Sequence, residues 1–260
     1  MENHPLTILP VMEDPTRPQY RDVHENLLKP PFRLAIVGAS KSGKSNLLVN
    51  YLRSEFYGGS ARQNIEPCFN RIIVMSPNLG MDSTTKVLND ICEDTDLHTR
   101  YSDGIIEAII EHQKSTQSEN RDRILIIADD LIALGAQPQA LIFSSATYLR
   151  HLDCSIMYLT QTYKGHYSLP PLVRNNLDGL VLFKCPSHQQ INSFTEDAQG
   201  TLGSKDSIAR MLDYTTRKPY HFGFFNYRDL NVWHCHLEKI WQKFDENGNY
   251  SDDFTVPTSS

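Results

Sequence analysis

The sequence predicts an α/β fold with a mostly parallel central sheet covered by helices on both faces. Short apolar runs are bounded by glycine, proline or polar residues, which is typical of buried strands. Stretches with helical periodicity separate these runs, and such alternation favours a parallel sheet between two helical layers. Five strands are predicted on this basis, at 33–37, 71–75, 124–128, 154–159 and 180–183.

Helices are predicted where apolar residues recur at helical spacing. Asp103 and Ser187 are suitable N-caps for two of them. One more begins after the glycine-rich turn that follows the first strand, and another is predicted over 140–151. Two further strands, at 220–226 and 231–236, are predicted to pair near the end of the chain.

The composition is that of a chain able to form one sizeable hydrophobic core. Of the 260 residues 40% are hydrophobic, and no run of eighteen apolar residues predicts a membrane span. The five cysteines lack CxxC spacing and the first residues lack the apolar segment of a secretory signal, so we expect reduced thiols inside a cell. The net charge of −6 argues against a surface that binds nucleic acid throughout, and confines any such contact to a local loop or channel.

Residues 38–45 match the P-loop pattern GxxxxGK[ST] between a predicted strand and a predicted helix. The glycines allow backbone N–H groups to curl around a β-phosphate, and the helix N-terminus favours an anion. The Lys44 ammonium is expected to reach the β- and γ-phosphate oxygens, and the Ser45 hydroxyl to coordinate Mg²⁺. The predicted nucleotide-binding residues are Gly38, Ala39, Ser40, Lys41, Ser42, Gly43, Lys44, Ser45 and Asn46.

A pair of acidic residues follows the apolar run 124–128. A P-loop requires a carboxylate for Mg²⁺ at the end of a different buried strand, and Asp129 meets that requirement. Asp130 is expected to act as the general base on the attacking water, and Gln161, just after the strand 154–159, to hydrogen-bond the γ-phosphate. These elements predict a P-loop NTPase three-layer sandwich of the additional-strand, catalytic-carboxylate type that binds ATP and Mg²⁺.

The chain is expected to contain one domain with an extension at each end. Residues 1–30 are polar and punctuated by proline, which indicates an extended N-terminal arm. Residues 31–242 form the predicted P-loop ATPase domain. Residues 243–260 are predicted to be a flexible tail.

The ordered set of motifs resembles the FtsK–HerA superfamily of ring-forming DNA-pumping ATPases. Within it, the sequence is most similar to the poxvirus-type genome-packaging ATPases of large DNA viruses, their relatives and virophages. The resemblance covers roughly residues 25–235. It rests on PPF at 30–32, GASKSGKS at 38–45, ILIIADD at 124–130, RH at 150–151, LTQ at 159–161 and RNN at 174–176.

The resemblance implies an ATP hydrolase that translocates double-stranded DNA through the pore of a homo-oligomeric ring, a hexamer or a pentamer. The implied task is packaging of a viral genome into a preformed capsid, with a capsid vertex protein as docking partner. The implied location is the cytoplasm or viral factory of an infected cell, or the virion. A ring also implies an arginine finger that reaches into a neighbouring subunit's site, and Arg150 and Arg174 are the two candidates.

Two other classes of function remain open at this point. A related P-loop ATPase could drive conjugative transfer, chromosome segregation or helicase-type unwinding of DNA, which the sequence separates from packaging only through the resemblance. A P-loop kinase or GTPase is less well supported. The sequence has no Asn-Lys-x-Asp guanine signature, and a kinase would not need Gln161 or the paired Asp129 and Asp130.

Overall fold

A computed structural model of the chain describes residues 18–24, 26–53, 56–59, 64–81, 83–130, 140–165, 168–185, 187–235 and 241–243. The strands are β1 (Arg33–Val37), β2 (Arg71–Met75), β3 (Leu97–His98), β4 (Ile124–Asp129), β5 (Cys154–Thr160), β6 (Gly179–Phe183), β7 (Phe222–Asn226), β8 (Asn231–Cys235) and β9 (Trp241–Lys243). The α-helices are α1 (Lys44–Tyr51), α2 (Ser83–Asn89), α3 (Asp103–Ser115), α4 (Leu141–Ser144), α5 (Ala146–Leu149), α6 (Pro171–Arg174), α7 (His188–Ala198) and α8 (Lys205–Thr215). Within these described ranges, no helix is both long and apolar enough to cross a bilayer.

All of these strands belong to one sheet in the order β3-β2-β4-β5-β1-β6-β7-β8-β9. The first six strands of this order run parallel, and β7, β8 and β9 extend the sheet antiparallel. Strand β5 lies between β1 and β4, so that Tyr158 stands opposite Ala35 on one side and Ala128 on the other. This inserted strand defines the additional-strand type, and the predicted fold class is confirmed.

Alternate side chains of the central strands point into two separate hydrophobic cores. In β4, Ile124 and Ile126 pack in the core that includes side chains of α3, α4, α7 and α8. Leu125 and Ile127 point the other way, into the core that includes side chains of α1 and α2. All four are fully buried, which is the pattern of a sheet covered on both faces. The molecule is therefore a three-layer sandwich.

The described part of the predicted N-terminal arm packs against the sheet. Leu27 and Leu28 are buried in the same core as α1. The Tyr20 hydroxyl donates a hydrogen bond of 2.9 Å to the carbonyl oxygen of Asp153, just before β5. Residues 1–17 of the arm and 244–260 of the predicted tail lie outside the described residues, so the proposed domain boundaries stay predictions.

The segment predicted as a single helix over 140–151 is helical, but it is interrupted. The structure has the two four-residue helices α4 and α5, followed by a 3₁₀ turn at Arg150–Leu152. Ser145 separates the two helices, and its hydroxyl donates to the carbonyl oxygen of Leu141 at 2.5 Å. A serine that bonds back to the carbonyl four residues earlier competes with the helical backbone and bends it.

Candidate nucleotide-binding site

Both glycines of the loop between β1 and α1 are required by its geometry. A Cβ atom on Gly38 would lie 2.5 Å from Oγ of Ser42 and 2.8 Å from Cβ of Phe183, so a larger residue would clash. Gly43 has a φ of 107°, a left-handed conformation that residues with a Cβ rarely adopt. The loop is therefore compact and turns sharply into α1.

The first turn of α1 offers backbone donors to an anion. The helix begins at Lys44, and no side chain among the described residues caps it. Unpaired N–H groups at a helix N-terminus, together with the helix dipole, attract phosphate. The amide of Gly38 donates to the carbonyl oxygen of Thr160 at 3.1 Å, which ties the start of the loop to β5.

The Lys44 side chain is held against the loop and is only 9% exposed. Its Nζ donates to the carbonyl oxygens of Gly38 at 2.7 Å and Ala39 at 3.1 Å. One of the three ammonium hydrogens is left for a phosphate oxygen. Burial lowers the pKa of Lys44, while the carboxylates of Asp130 and Asp129 partly oppose that shift. The ammonium is thus already placed beside the two carboxylates.

Asp129 ends β4 with its carboxylate fixed by the neighbouring strand. The Ser76 hydroxyl, immediately after β2, donates to Oδ2 of Asp129 at 2.8 Å. The same hydroxyl accepts the backbone N–H of Asn78 at 3.2 Å. Asp129 is 9% exposed, and one strand, β5, separates β4 from β1. At about 4.8 Å between strands, roughly 10 Å separates the end of β4 from the P-loop, which leaves room for phosphate and a hydrated ion.

Asp130 is turned towards the end of β5. Its φ of 46° is left-handed, and its amide donates to the carbonyl oxygen of Leu159 at 3.0 Å. Nε2 of Gln161 donates to Oδ2 of Asp130 at 3.1 Å. The Gln161 amide therefore orients the carboxylate, whose acceptor capacity exceeds this one bond.

These groups line one cleft of about 330 Å³ at the carboxyl edge of the parallel strands. Most of the P-loop residues predicted from the sequence lie there, and the two aspartates and Gln161 join them. Sequence reasoning missed Ser76 and Asn78, which the sequence marked only as the polar end of a strand. The lining residues are Ser40, Lys41, Gly43, Lys44, Ser45, Asn46, Asn78, Asp129, Asp130 and Gln161.

The oxygen atoms on one wall of this cleft suit Mg²⁺. Ser45, Ser76 and Asp129 line a common hollow beside α1. Hydroxyl and carboxylate oxygens are hard ligands, and Mg²⁺ typically binds one or two such groups while keeping several waters. The donor set therefore fits the predicted roles of Ser45 and Asp129.

The two candidate arginine fingers lie in different surroundings. Arg150 begins the 3₁₀ turn before β5, at the amino edge of the sheet, and is half-buried. The cleft lies beyond the other end of β5, roughly 20 Å away along that seven-residue strand. Arg150 is therefore too far away to reach its own subunit's cleft. Within the part of the chain that the structure describes, the Arg150 side chain makes no hydrogen bond and no ion pair.

Arg174 is engaged within its own chain. Its Nη1 donates to the carbonyl oxygen of Leu169 at 2.6 Å, and its Nε lies 3.5 Å from Oδ2 of Asp197. The guanidinium also stacks over the Tyr163 ring, 5.6 Å from the ring centre. The Arg174 guanidinium is therefore bound within its own chain, in contrast to that of Arg150.

Solved structures show the same fold, although no family model and no curated protein matches the sequence. The genome packaging NTPase B204 of Sulfolobus turreted icosahedral virus 2, in complex with ATP-gammaS, is 17% identical, with a TM-score of 0.55. That match covers 81% of this chain and 100% of the other. B204, the DNA-packaging ATPase of Sulfolobus turreted icosahedral virus, is 15% identical over the same shares of both chains, with a TM-score of 0.55.

Proposed function

We propose that this protein is an ATP hydrolase that translocates double-stranded DNA and packages a viral genome into a preformed capsid. The observation that carries the proposal is the cleft itself. It places the Lys44 ammonium opposite Asp129, held by Ser76, and Asp130, held by Gln161. The additional-strand fold is shared with proteins described as a genome packaging NTPase and a DNA-packaging ATPase.

Each group of the cleft has a distinct part in hydrolysis. Lys44 and the N-terminus of α1 would bind the β- and γ-phosphates. Asp130 would accept a proton from the attacking water, held in orientation by Gln161, whose amide would also contact the γ-phosphate. Ser45 and Asp129 would hold Mg²⁺, which when bound neutralises phosphate charge.

A ring of identical subunits completes the site. Arg150 lies beyond reach of its own cleft, so an arginine that stabilises the transition state would come from the adjacent subunit of a hexamer or pentamer. With a net charge of −6, contacts to duplex DNA would be confined to the pore. The ring would dock on a capsid vertex protein in the cytoplasm or viral factory of an infected cell.

The test combines ATP hydrolysis with a direct measurement of movement. Duplex DNA is expected to raise the ATPase rate at low salt, and this stimulation should fade as salt rises because phosphate contacts are screened. The assembled oligomer should also displace streptavidin from the end of a biotinylated duplex in an ATP-dependent manner. Lys44→Ala is the matched control, since it should stay folded yet lose both activities.

Two outcomes would contradict the proposal. A rate that ignores DNA at low salt in an assembled oligomer would remove DNA as the substrate. Separation of the strands of a forked duplex, without displacement of streptavidin from a blunt one, would instead support helicase-type unwinding.

A further inference from the structure

A second pocket, of about 450 Å³, lies on the other side of the P-loop from the carboxylates. Its walls come from the P-loop, from the end of β6 and from the segment between α8 and β7. Ser40 and Lys41 line both this pocket and the carboxylate cleft, so the two are continuous across the loop. None of the predicted catalytic groups accounts for this pocket.

The strand order determines which part of a nucleotide lies on each side of the P-loop. Strand β1, which leads into the P-loop, has β5 on one side and β6 on the other. The cleft with Asp130 and Gln161 is on the β5 side, and a γ-phosphate must face it to be hydrolysed. A triphosphate lying across the loop in this direction brings its nucleoside end to the β6 side, where the second pocket lies.

Tyr220 forms an aromatic wall of the second pocket. Its side chain is 57% exposed although it packs on the P-loop: a Cβ atom on Gly43 would lie 3.3 Å from Cδ1 of Tyr220. Its φ of 64° is an outlier for a bulky residue, and such outliers persist where the surrounding structure enforces them, often at ligand sites. The fold thus holds an open aromatic face beside the loop.

The polar groups around Tyr220 suit the rest of a nucleotide. Lys184 and Lys218 are exposed at the rim and give it a positive potential. Within the described residues no carboxylate lines this pocket, which leaves the aromatic face as the main contact for a base.

We propose that this pocket binds the nucleoside half of the nucleotide and that the Tyr220 ring stacks on the base. The inference rests on the proposed function, because it assumes that a nucleoside triphosphate occupies the P-loop. Stacking of a base on an aromatic side chain contributes enough affinity for its loss to be measured.

The experiment compares a nucleotide with a ligand that has no base. Dissociation constants are measured for Mg²⁺–ATP-gammaS and for Mg²⁺–tripolyphosphate, with the wild type, Tyr220→Ala and Tyr220→Phe. Tyr220→Ala should weaken ATP-gammaS binding about tenfold and leave tripolyphosphate binding unchanged. Tyr220→Phe, which keeps the ring, should bind both ligands like the wild type.

Leu230→Ala is the matched control for the loss of an exposed side chain at a left-handed residue away from the pocket. Leu230 also has a left-handed φ, 54°, and is 59% exposed, but it lies in the turn between β7 and β8. Its substitution should change neither dissociation constant. A thermal melt of each variant confirms that the fold is kept.

The remaining outcomes contradict either the proposed nucleoside pocket or the proposed nucleotide hydrolysis. If Tyr220→Ala loses affinity for both ligands by the same factor, the ring supports the P-loop rather than the base. If it loses affinity for neither, or if the wild type binds tripolyphosphate as tightly as ATP-gammaS, the pocket does not bind the nucleoside. If the wild type binds neither ligand, the proposed nucleotide hydrolysis itself is wrong.

Discussion

Charged side chains at the two edges of the parallel sheet differ in where their partners are. At the amino edge, charged residues at or just before the strands pair with each other. These ion pairs are Arg71–Asp96, Arg121–Asp153, Arg123–Glu66, Arg33–Asp178 and Arg228–Asp178. At the carboxyl edge, hydrogen bonds to neutral groups position Lys44, Asp129 and Asp130, and these three charged side chains line the open cleft.

This difference separates residues that stabilise the fold from residues that await a ligand. A charge neutralised within the chain has little left to offer a substrate. A carboxylate or ammonium that is hydrogen-bonded to a hydroxyl, an amide or a carbonyl keeps its formal charge for phosphate and metal.

Arg150 is the exception at the amino edge, and it gives the largest expected effect. Among the described residues it has no ion-pair partner, so we expect the neighbouring subunit to supply the anion. Arg150→Ala should bind ATP but hydrolyse it on the order of 10³-fold more slowly. Mixing it with Lys44→Ala should restore part of the ATPase activity, because some interfaces then pair an intact P-loop with an intact finger.

Arg174→Ala is the comparison for that experiment. Its partners lie in its own chain, so its loss should lower the melting temperature, and mixing should not rescue it. If mixed rings form and Arg150→Ala gains no activity, Arg150 acts within its own subunit or is structural. Rescue of Arg174→Ala instead would identify Arg174 as the finger.

The next effect tests the division of roles between the two aspartates of the carboxyl edge. Asp130→Asn should retain ATP binding and lose about 10²-fold or more in turnover, because an amide cannot accept the proton of water. Asp129→Asn should instead raise the Mg²⁺ concentration needed for half-maximal activity. The same response of both variants in a magnesium titration would show that this assignment of roles is wrong.

Much of this arrangement was predictable from the sequence because it is encoded locally. The strands at 33–37 and 71–75 were predicted with their observed bounds, since continuous apolar runs end at glycine, proline or polar residues. The loop 38–45 is a contiguous motif, and the P-loop context led directly to Asp129. Even the missed helix α8 has a readable signal, with the buried residues Ile208, Met211, Leu212 and Thr215 at helical spacing.

The rest depends on contacts between distant parts of the chain. Ser76 meets Asp129 across 53 positions, and nothing near Ser76 distinguishes it from any polar strand end. Tyr220 reaches the P-loop only because β6 and β7 are antiparallel neighbours, which places the start of β7 beside the end of β6. The two-residue strand β3 is too short for any periodicity. Such features follow from topology rather than from local pattern.

Substitution of Asp178 tests the ion pairs of the amino edge. It should change the stability of the fold and leave ATP hydrolysis unchanged. Burial raises the pKa of Asp178, but hydrogen bonds from Arg33 and Arg228 outweigh it, so the pKa lies below its ordinary value. Asp178→Asn should lower the free energy of unfolding by about 3 kcal/mol at neutral pH, because two guanidinium groups lose their buried counter-charge. The ATPase rate per folded molecule should not change.

The pH dependence of this loss of unfolding free energy follows from the lowered pKa of Asp178. A carboxyl with a depressed pKa stabilises the fold above its unfolded pKa, and this contribution disappears as the pH falls through its folded pKa. Denaturant titrations should therefore show the two proteins converging in stability on acidification. A constant difference down to the lowest pH at which the protein folds would mean that the charge of Asp178 is not what matters.

The smallest expected effect compares two buried serines, one at each edge. Ser76 positions Asp129 with a bond of 2.8 Å, whereas the Ser155 hydroxyl at the amino edge accepts the backbone N–H of Phe32 at 3.1 Å. Ser155→Ala removes one hydrogen bond and should lower the free energy of unfolding by about 1 kcal/mol. Ser76→Ala removes the bond to the Asp129 carboxylate and also the bond from the Asn78 amide, so its cost should be larger, about 2 kcal/mol. Only Ser76→Ala should also change the Mg²⁺ concentration that ATP hydrolysis requires. Partners that orient a metal ligand typically contribute at least tenfold in affinity, so it should need about ten times more Mg²⁺ for half-maximal ATPase activity. Ser155→Ala should titrate like the wild type. If the two variants need the same Mg²⁺ concentration, Ser76 only stabilises the fold, as Ser155 does. The hydrogen bonds of the carboxyl edge would then have no special part in binding the metal.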